Sequence, residues 1–341
     1  MHCFIGFFLL VWFAPVAVGW SFGHWSCVGL AKNVVEGRPY AFQVGELPMV
    51  LWKKPDGYVA TLNICNHMGS KLDGGCVTAS GSLRCPYHGM EVKEGDGCVG
   101  TVVEQEDKLF WAYGATGRPQ SVPHYMDGDY LTQCFEYDMP CSLPDAAFNA
   151  MDLHHPEFVH NGLLGFGSAV PPSNIETHLF EGEDYRVGLS FDYVSGSITS
   201  AATQTRLKKT RNYHEFHYPT FTWSRVAFDG AEGQENRLIV AVHFLPVGPK
   251  RTKWFVSVAQ NYLKAPWHTP LVRAMALSIL NQDREQMEKQ AKEDGLKQDW
   301  LFLRAFPDEE VLMKMRPWFE VDYRYPDMEE CRKLLREIKK K

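Results

Sequence analysis

Basic charge is in short supply in this 341-residue chain: 35 Lys and Arg stand against 41 Asp and Glu, a formal net charge of −6. A protein that gripped nucleic acid by its phosphates would show the opposite balance, so that class is set aside. A disulfide framework is missing as well. The nine cysteines are an odd number without regular spacing, and Cys27, Cys76, Cys98, Cys134, Cys141 and Cys331 read as buried or free thiols in a reducing compartment. Internal repeats and low-complexity tracts are absent. Residues 1–19 contain no Lys, Arg, Asp or Glu, and residues 4–18 are almost entirely apolar. A secretory signal needs a positive start, which is lacking here although Ala14-Pro-Val-Ala-Val-Gly19 supplies small residues near a cut. The run sits at the short end of the about 17–25 residues that cross a bilayer. It reads as a cytoplasm-facing membrane anchor or an organelle-targeting start, with an apolar arm packed on the body as the alternative.

What is present is a hydrophobic fraction of 45% with 13% aromatics, enough for two domains with cores of their own. Two short clamps stand out: Cys65-Asn66-His67 and Cys85-Pro86-Tyr87-His88, separated by the seventeen residues Met68 to Arg84. Two thiolates and two imidazoles suit a Rieske [2Fe–2S] centre, in which two Cys hold one iron and two His the other. Zinc also takes Cys2His2 sites. Zinc arms usually pair Cys with Cys and His with His, however, whereas each arm here carries one of each. Assembly of such a cluster argues against an oxidising lumen.

On these residues the chain resembles the Rieske non-haem iron oxygenases. Their clamps usually read Cys-Pro-His-Arg-Gly and Cys-Pro-Tyr-His-Gly-Trp; here they read Cys65-Asn-His-Met-Gly69 and Cys85-Pro-Tyr-His-Gly-Met90. Ligand types and both glycines match, and Asn66, Met68 and Met90 depart. Ser70 and Tyr87 stand near where respiratory Rieske proteins carry an extra disulfide, so the resemblance is not to that branch.

Between and around the clamps, Tyr40-Ala-Phe-Gln-Val44, Met49-Val-Leu-Trp52, Tyr58-Val-Ala-Thr-Leu62 and Lys108-Leu-Phe-Trp-Ala-Tyr113 alternate as strands, with turns at Pro55-Asp-Gly57 and Gly74-Gly75. Gly95-Asp-Gly97-Cys-Val-Gly100 fits the letters of a dinucleotide-binding turn. No helix follows it, however, and a β-turn leading into Thr101-Val-Val-Glu104 is the better reading. Residues 114–129, rich in Gly, Pro and polar side chains, read as a linker. Beyond it, Tyr185 to Val194, Thr220 to Phe228, Leu238 to Leu245 and Trp254 to Ala259 predict an antiparallel sheet with one buried face. Leu271, Ala274, Leu277, Ile279, Leu280 and Met287 then recur at helical spacing, predicting a long helix across that sheet. Arg206 to Arg211 and Lys339 to Lys341 read as solvated basic surface, with a docking patch for an acidic electron donor as the alternative.

A second metal site is expected at Asn149-Ala-Met-Asp152-Leu-His-His155-Pro-Glu-Phe-Val-His160. The segment resembles the oxygenase pattern Asn-x-x-Asp-x-x-His-x-x-x-x-His, whose register implies His155 and His160 as ligands and leaves His154 outside. Pro156 is expected to bend the backbone just after His155. A facial triad needs one carboxylate more. Gln282-Asp283-Arg-Glu-Gln-Met-Glu288 resembles the family's distal carboxylate segment, and its register implies Asp283. On residue types alone, Glu285 and Glu288 compete, and a Glu/Lys/Gln-rich helix is ordinarily solvated. For Asp152 the resemblance implies a bridge: in a ring of three subunits it would join His88 of one chain to His155 of the next, as metal-bound imidazoles hand their second N–H to a carboxylate.

The resemblance implies a mainly β, α+β protein: a Rieske [2Fe–2S] β domain (residues 20–125), then a helix-grip (START-like) catalytic domain with a long C-terminal helix (residues 126–341). Cys65, His67, Cys85 and His88 would hold the cluster, and His155, His160 and Asp283 a mononuclear Fe(II). With O2 as co-substrate, the enzyme would hydroxylate, demethylate or desaturate a hydrophobic aromatic, alkaloid, sterol or pigment. A ferredoxin or NAD(P)H-dependent reductase would supply electrons and a homotrimer would form. Phe221, Trp223, Phe244 and Trp254 suggest an apolar pocket, though half of them must face away from it. A stand-alone electron-transfer protein and a ligand-carrying helix-grip module without turnover are the competing readings.

Overall fold

The computed structural model describes residues 22–94, 98–122, 130–160, 163–164, 171–180, 185–195, 208–230, 233–292 and 309–338. The apolar run of residues 1–19 lies outside them. So do most of the glycine-rich turn at 95–97, the second half of the linker, residues 206–207 and the terminal lysines. Among the described residues no helix is long and apolar enough to cross a membrane.

Among the described residues nine strands come first: β1 (Ser26–Leu30), β2 (Tyr40–Val44), β3 (Leu47–Lys54), β4 (Gly57–Leu62), β5 (Cys76–Val77), β6 (Leu83–Arg84), β7 (Glu91–Val92), β8 (Thr101–Gln105) and β9 (Lys108–Ala112). They form three antiparallel sheets, ordered β1-β9-β8, β2-β3-β4 and β5-β6-β7. The smallest of these carries the clamps. Its support is a compact core of Val50, Trp52, Val59, Leu72, Leu83 and Val92 around Cys65 and Cys85. Buried Asn63 fastens the loop behind the first clamp. Its amide donates to Asp73 Oδ2 at 2.8 Å while its Oδ1 accepts from the N–H of Leu72 and of Asp73.

Seven longer strands follow: β10 (Leu131–Met139), β11 (Ser173–Leu179), β12 (Arg186–Ser195), β13 (Lys208–His217), β14 (Phe221–Asp229), β15 (Glu235–Gly248) and β16 (Arg251–Gln260). Their order is β10-β16-β15-β14-β13-β12-β11. Four of the seven fall on the predicted runs. The other three were not visible as alternation, because β13 is mostly polar and β10 and β11 carry mixed faces. The predicted basic surface is partly the outward face of β13, where Lys209 pairs with Asp192 and Arg211 with Glu235.

Period-two alternation gives the sheet two different sides. Phe244 and Trp254 point into the main core, edge to face at 5.1 Å, and Phe221 and Trp223 into a cluster on the opposite side. The main-core side is covered by α1 (Leu143–Met151), the short α2 (His155–Phe158) and the long α3 (His268–Lys292). Leu280, Asp283 and Met287 form the buried stripe of α3; Leu271, assigned to that stripe from its spacing, is instead 54% exposed.

The two halves share a core in which Leu245 and Phe255 of the large sheet meet Val44, Leu47, Leu109 and Phe110. The C-terminal region ties them together. Val311 and Met315 of α4 (Glu310–Pro317) enter the main core, and Cys331 and Leu334 of α5 (Met328–Ile338) enter the shared one. Between these helices Pro326 O accepts from Glu46 N–H at 2.8 Å. The approach is so close that a Cβ on Gly45 would lie 2.1 Å from the Pro326 ring.

Candidate metal centres

The two clamps fold into the same turn. Cys65 N–H donates to Ser70 O at 2.7 Å and Gly69 N–H to Cys65 O at 2.8 Å; in the second, Cys85 N–H donates to Met90 O at 2.8 Å and Gly89 N–H to Cys85 O at 3.1 Å. Gly69 and Gly89 both sit at φ +74°, in the left-handed region where a side chain costs about 1–2 kcal/mol. Another glycine sets the spacing between the clamps: a Cβ on Gly75 would lie 2.1 Å from Arg84 O. As a result Cys65 and Cys85 are both buried, while the His67 and His88 rings lie 4.9 Å apart at the surface. The Cys85 thiol is held below its ordinary value. Burial works the other way, but the Tyr87 N–H, the Cys65 thiol, the His88 N–H and the Ser70 hydroxyl favour the thiolate. Paired thiolates below and paired imidazoles above form a donor set that fits a Rieske cluster.

The second centre grows from the end of α1. Ser142 caps that helix, accepting from Asp145 N–H at 3.3 Å, and Asp152 ends it in an extended conformation. Asp152 Oδ1 then accepts from the N–H of His154 at 2.8 Å and of His155 at 3.1 Å, starting α2. The bend therefore falls before His155 and not after it. Pro156 lies in the first turn of α2, where its missing N–H leaves no bond unmade. Tyr193 pins α2 to the sheet by donating to Glu157 at 2.5 Å.

These constraints bring His155 and His160 against Asp283 from α3, with one ligand atom of each inside a 4.8 Å sphere of separations. Asp283 Oδ1 lies 3.3 Å from His160 Nε2 and 3.7 Å from His155 Nε2. Each ring's other nitrogen is occupied: His155 Nδ1 is 2.9 Å from the Asp152 carbonyl, and His160 Nδ1 is 3.1 Å from Gln282 Oε1. If those oxygens accept from Nδ1–H, both Nε2 lone pairs face the carboxylate, as a metal requires. Asn149 completes the shell, donating to Asp283 Oδ1 at 3.3 Å. Burial presses His155 below the ordinary imidazole value against the pull of Asp283 and Asp152, favouring the neutral form that binds a metal. The competing carboxylates stand elsewhere. Glu285 pairs with Lys289 and Glu288 with Arg284 on the solvent side, whereas Asp283 is 4% exposed. His154 starts α2 and is not part of the cluster.

Sequence reasoning gives Gln282 no role of its own, although its place beside a candidate ligand on a helix is a usable signal. His214 went unnoticed altogether. It lies on β13 against the Ala150 carbonyl, and burial pushes it down to about 4, with His155 nearby adding to the shift.

A cysteine–histidine cluster site followed by a buried two-histidine, one-carboxylate site on a helix-grip sheet describes an oxidoreductase of the Rieske non-haem iron oxygenase class. Residues 24–127 match the Rieske [2Fe-2S] domain, and residues 141–316 match the vanillate O-demethylase oxygenase C-terminal domain. The chain belongs to that vanillate O-demethylase oxygenase family of Rieske oxygenases. Among curated proteins it is 23% identical over 251 residues to the oxygenase component of dicamba O-demethylase from Stenotrophomonas maltophilia, covering 67% of this chain and 68% of that one. It is 23% identical over 279 residues to chloroplastic pheophorbide a oxygenase from Oryza sativa subsp. japonica, covering 71% of this chain and 50% of that one. Its fold is shared with the crystal structure of dicamba monooxygenase bound to 3,6 dichlorosalicylic acid, at a TM-score of 0.74 and 17% identity over 89% of this chain and 97% of the other. The cofactors are a Rieske [2Fe–2S] cluster and a mononuclear non-haem iron, with O2 as co-substrate. As an oxygenase component, the protein draws its electrons from a separate carrier.

Proposed function

We propose that Cys65, His67, Cys85 and His88 hold the cluster and that His155, His160 and Asp283 hold the mononuclear iron. The observation that carries this reading is the buried triad in which both histidines present Nε2 to one carboxylate while the Asp152 carbonyl and Gln282 Oε1 occupy Nδ1. When bound, the two centres supply stored electrons and O2 activation. The chain itself contributes position. Asp152 and Gln282 fix the imidazoles, Asn149 steadies Asp283, and the apolar sheet face opposite keeps water from the reacting carbon.

The substrate is a hydrophobic small molecule. Demethylation is favoured over hydroxylation or desaturation by the matched family and by the dicamba relative. The balance is then an O-methyl group, O2, two electrons and two protons giving a hydroxyl, formaldehyde and water. A ferredoxin or an NAD(P)H-dependent reductase is the donor. The domains are residues 20–125 and 126–341, preceded by the apolar run 1–19, whose lack of charge supports membrane attachment or organelle import. A homotrimer completes the electron path. His88 is exposed, the Asp152 side chain is 31% exposed, and Asp152 already lies beside His155, so it can join His88 of one subunit to His155 of the next.

Anaerobic reconstitution followed by iron counting and electron paramagnetic resonance tests the assignment. Three irons per chain with a rhombic signal from the reduced cluster are expected, and two irons per chain would rule out a complete catalytic site.

A further inference from the structure

The inward face of the large sheet carries scattered polar residues among its apolar ones, and three of them stand together. On β13, Asn212 and His214 are two residues apart and so share a face, about 7 Å from each other. Ser224 of β14 stands directly opposite His214. Their neighbours on that face are Leu189, Phe191, Val226, Val240 and Leu238, none of them charged. The side is the inner one, because Leu189 and Phe191 belong to the main core and His214 packs edge to face on Phe191 at 5.2 Å. It is also the side of the triad, since His214 lies against Ala150, in the turn of α1 that leads to Asp152 and His155.

The three side chains have their donors committed. Asn212 Nδ2 donates to Thr210 Oγ1 at 3.0 Å and lies 3.4 Å from the carbonyls of Phe191 and Thr210; Ser224 Oγ donates to the Val240 carbonyl at 3.5 Å. Asn212 Oδ1 and the Ser224 lone pairs accept no hydrogen bond among the described residues, and His214 Nδ1 is buried without a partner. A buried polar atom left unmatched costs about 1–3 kcal/mol, so His214 Nδ1 calls for a ligand donor, with Asn212 Oδ1 and the Ser224 hydroxyl beside it as further acceptors. It offers mainly acceptors. A hydroxyl or N–H can satisfy them, whereas a carboxylate, itself acceptor-only, cannot.

We infer that Asn212, His214 and Ser224 form the polar anchor of the substrate pocket, selecting a neutral, otherwise apolar substrate that presents a hydroxyl and excluding carboxylic acids. This rests on the oxygenase reading, which makes the inner sheet face the substrate wall.

Anaerobic equilibrium dialysis on the holoprotein tests it without turnover. The probes are 2-methoxyphenol against 1,2-dimethoxybenzene and 2-methoxybenzoate, and 6-methoxy-2-naphthol against 2,6-dimethoxynaphthalene. The hydroxyl member of at least one pair should bind roughly tenfold tighter than its dimethoxy partner, the size of one well-placed buried hydrogen bond, and 2-methoxybenzoate weakest. Asn212→Leu and His214→Phe should erase the preference of the hydroxyl member over its dimethoxy partner, with three irons per chain retained; Asn212→Leu also loses the bonds to Thr210 and Phe191 and should melt lower. If Asn212→Leu does not fold, Ser224→Ala serves, with a smaller loss expected. No hydroxyl preference in either pair, or tighter binding of the benzoate, overturns the anchor. Iron counted on the same samples separates the two readings: three irons without the preference sink the anchor alone, and fewer than three sink the oxygenase assignment while the preference is still read.

Discussion

The two metal-binding regions are built in opposite ways. At the clamps, loops held by backbone hydrogen bonds and left-handed glycines bury the thiols and lift His67 and His88 to the surface. Around them Met68 and Tyr87 are 66% and 64% exposed. At the triad, the start of α2, the turn after it and the middle of α3 supply the candidate ligands, every ring nitrogen that faces away from Asp283 meets an oxygen, and His160 and Asp283 are almost wholly buried. Electrons can reach a centre from a surface, but a reactive oxidant must be kept from water. On the proposed assignment, the contrast suits electron entry at the clamps and chemistry at the triad.

The strongest way to break that division is to remove one centre at a time. His160→Ala should leave two irons per chain and an intact reduced-cluster resonance, whereas His88→Ala should leave one iron and no such resonance; both should abolish turnover. Loss of both centres in either variant would mean that the regions fold or load as one. Next in size is Asp152, which touches the triad yet is open to solvent. Asp152→Asn keeps an oxygen for the N–H of His154 and His155 but drops the charge, and single turnover with a pre-reduced cluster should slow about 10–100-fold with all metal retained. Unchanged single-turnover O2 consumption would remove the bridge.

Smaller effects sharpen the picture. Gln282→Leu frees His160 Nδ1 and should weaken iron retention about tenfold in chelator competition, without altering the cluster resonance. The smallest effect concerns His243, in the seam between the regions, stacked on Phe221 at 4.4 Å and edge to face with Phe110 at 4.9 Å. Burial, with Lys108 and His217 adding to it, pushes this imidazole well below its ordinary value. Unfolding therefore takes up a proton that the folded chain refuses, so its contribution to stability is complete above about pH 6.5 and declines as pH falls below that. His243→Phe should flatten the drop in melting temperature between pH 7 and pH 5.5.

The sequence exposed these regions unequally. Covalent spacing is independent of packing, so the clamps could be read directly from Cys65, His67, Cys85 and His88. Asp283 needed a family register, yet its helical phase with Leu280 and Met287 already set it on the buried stripe, apart from Glu285 and Glu288. The strand β13 stayed hidden because its inward positions, Thr210, Asn212 and His214, are polar where alternation looks for hydrophobic residues. Those same residues became the proposed anchor. The position of the bend beside His155 was also misjudged, because Asp152 turns the chain through its own side-chain hydrogen bonds before Pro156 is reached.

The last described helix completes a core begun by Phe22 and Cys27, with Cys331 and Leu334 as its late additions and the Pro326 carbonyl as the fastening on Glu46. The half that carries the clamps is thus covered on its underside by residues more than 200 positions further along the chain. Its cluster loops rest on a separate core, Val50 to Val92, that needs nothing from the C-terminal region. The clamp loops are therefore held by contacts within residues 50–92, independently of the helix that closes the shared core.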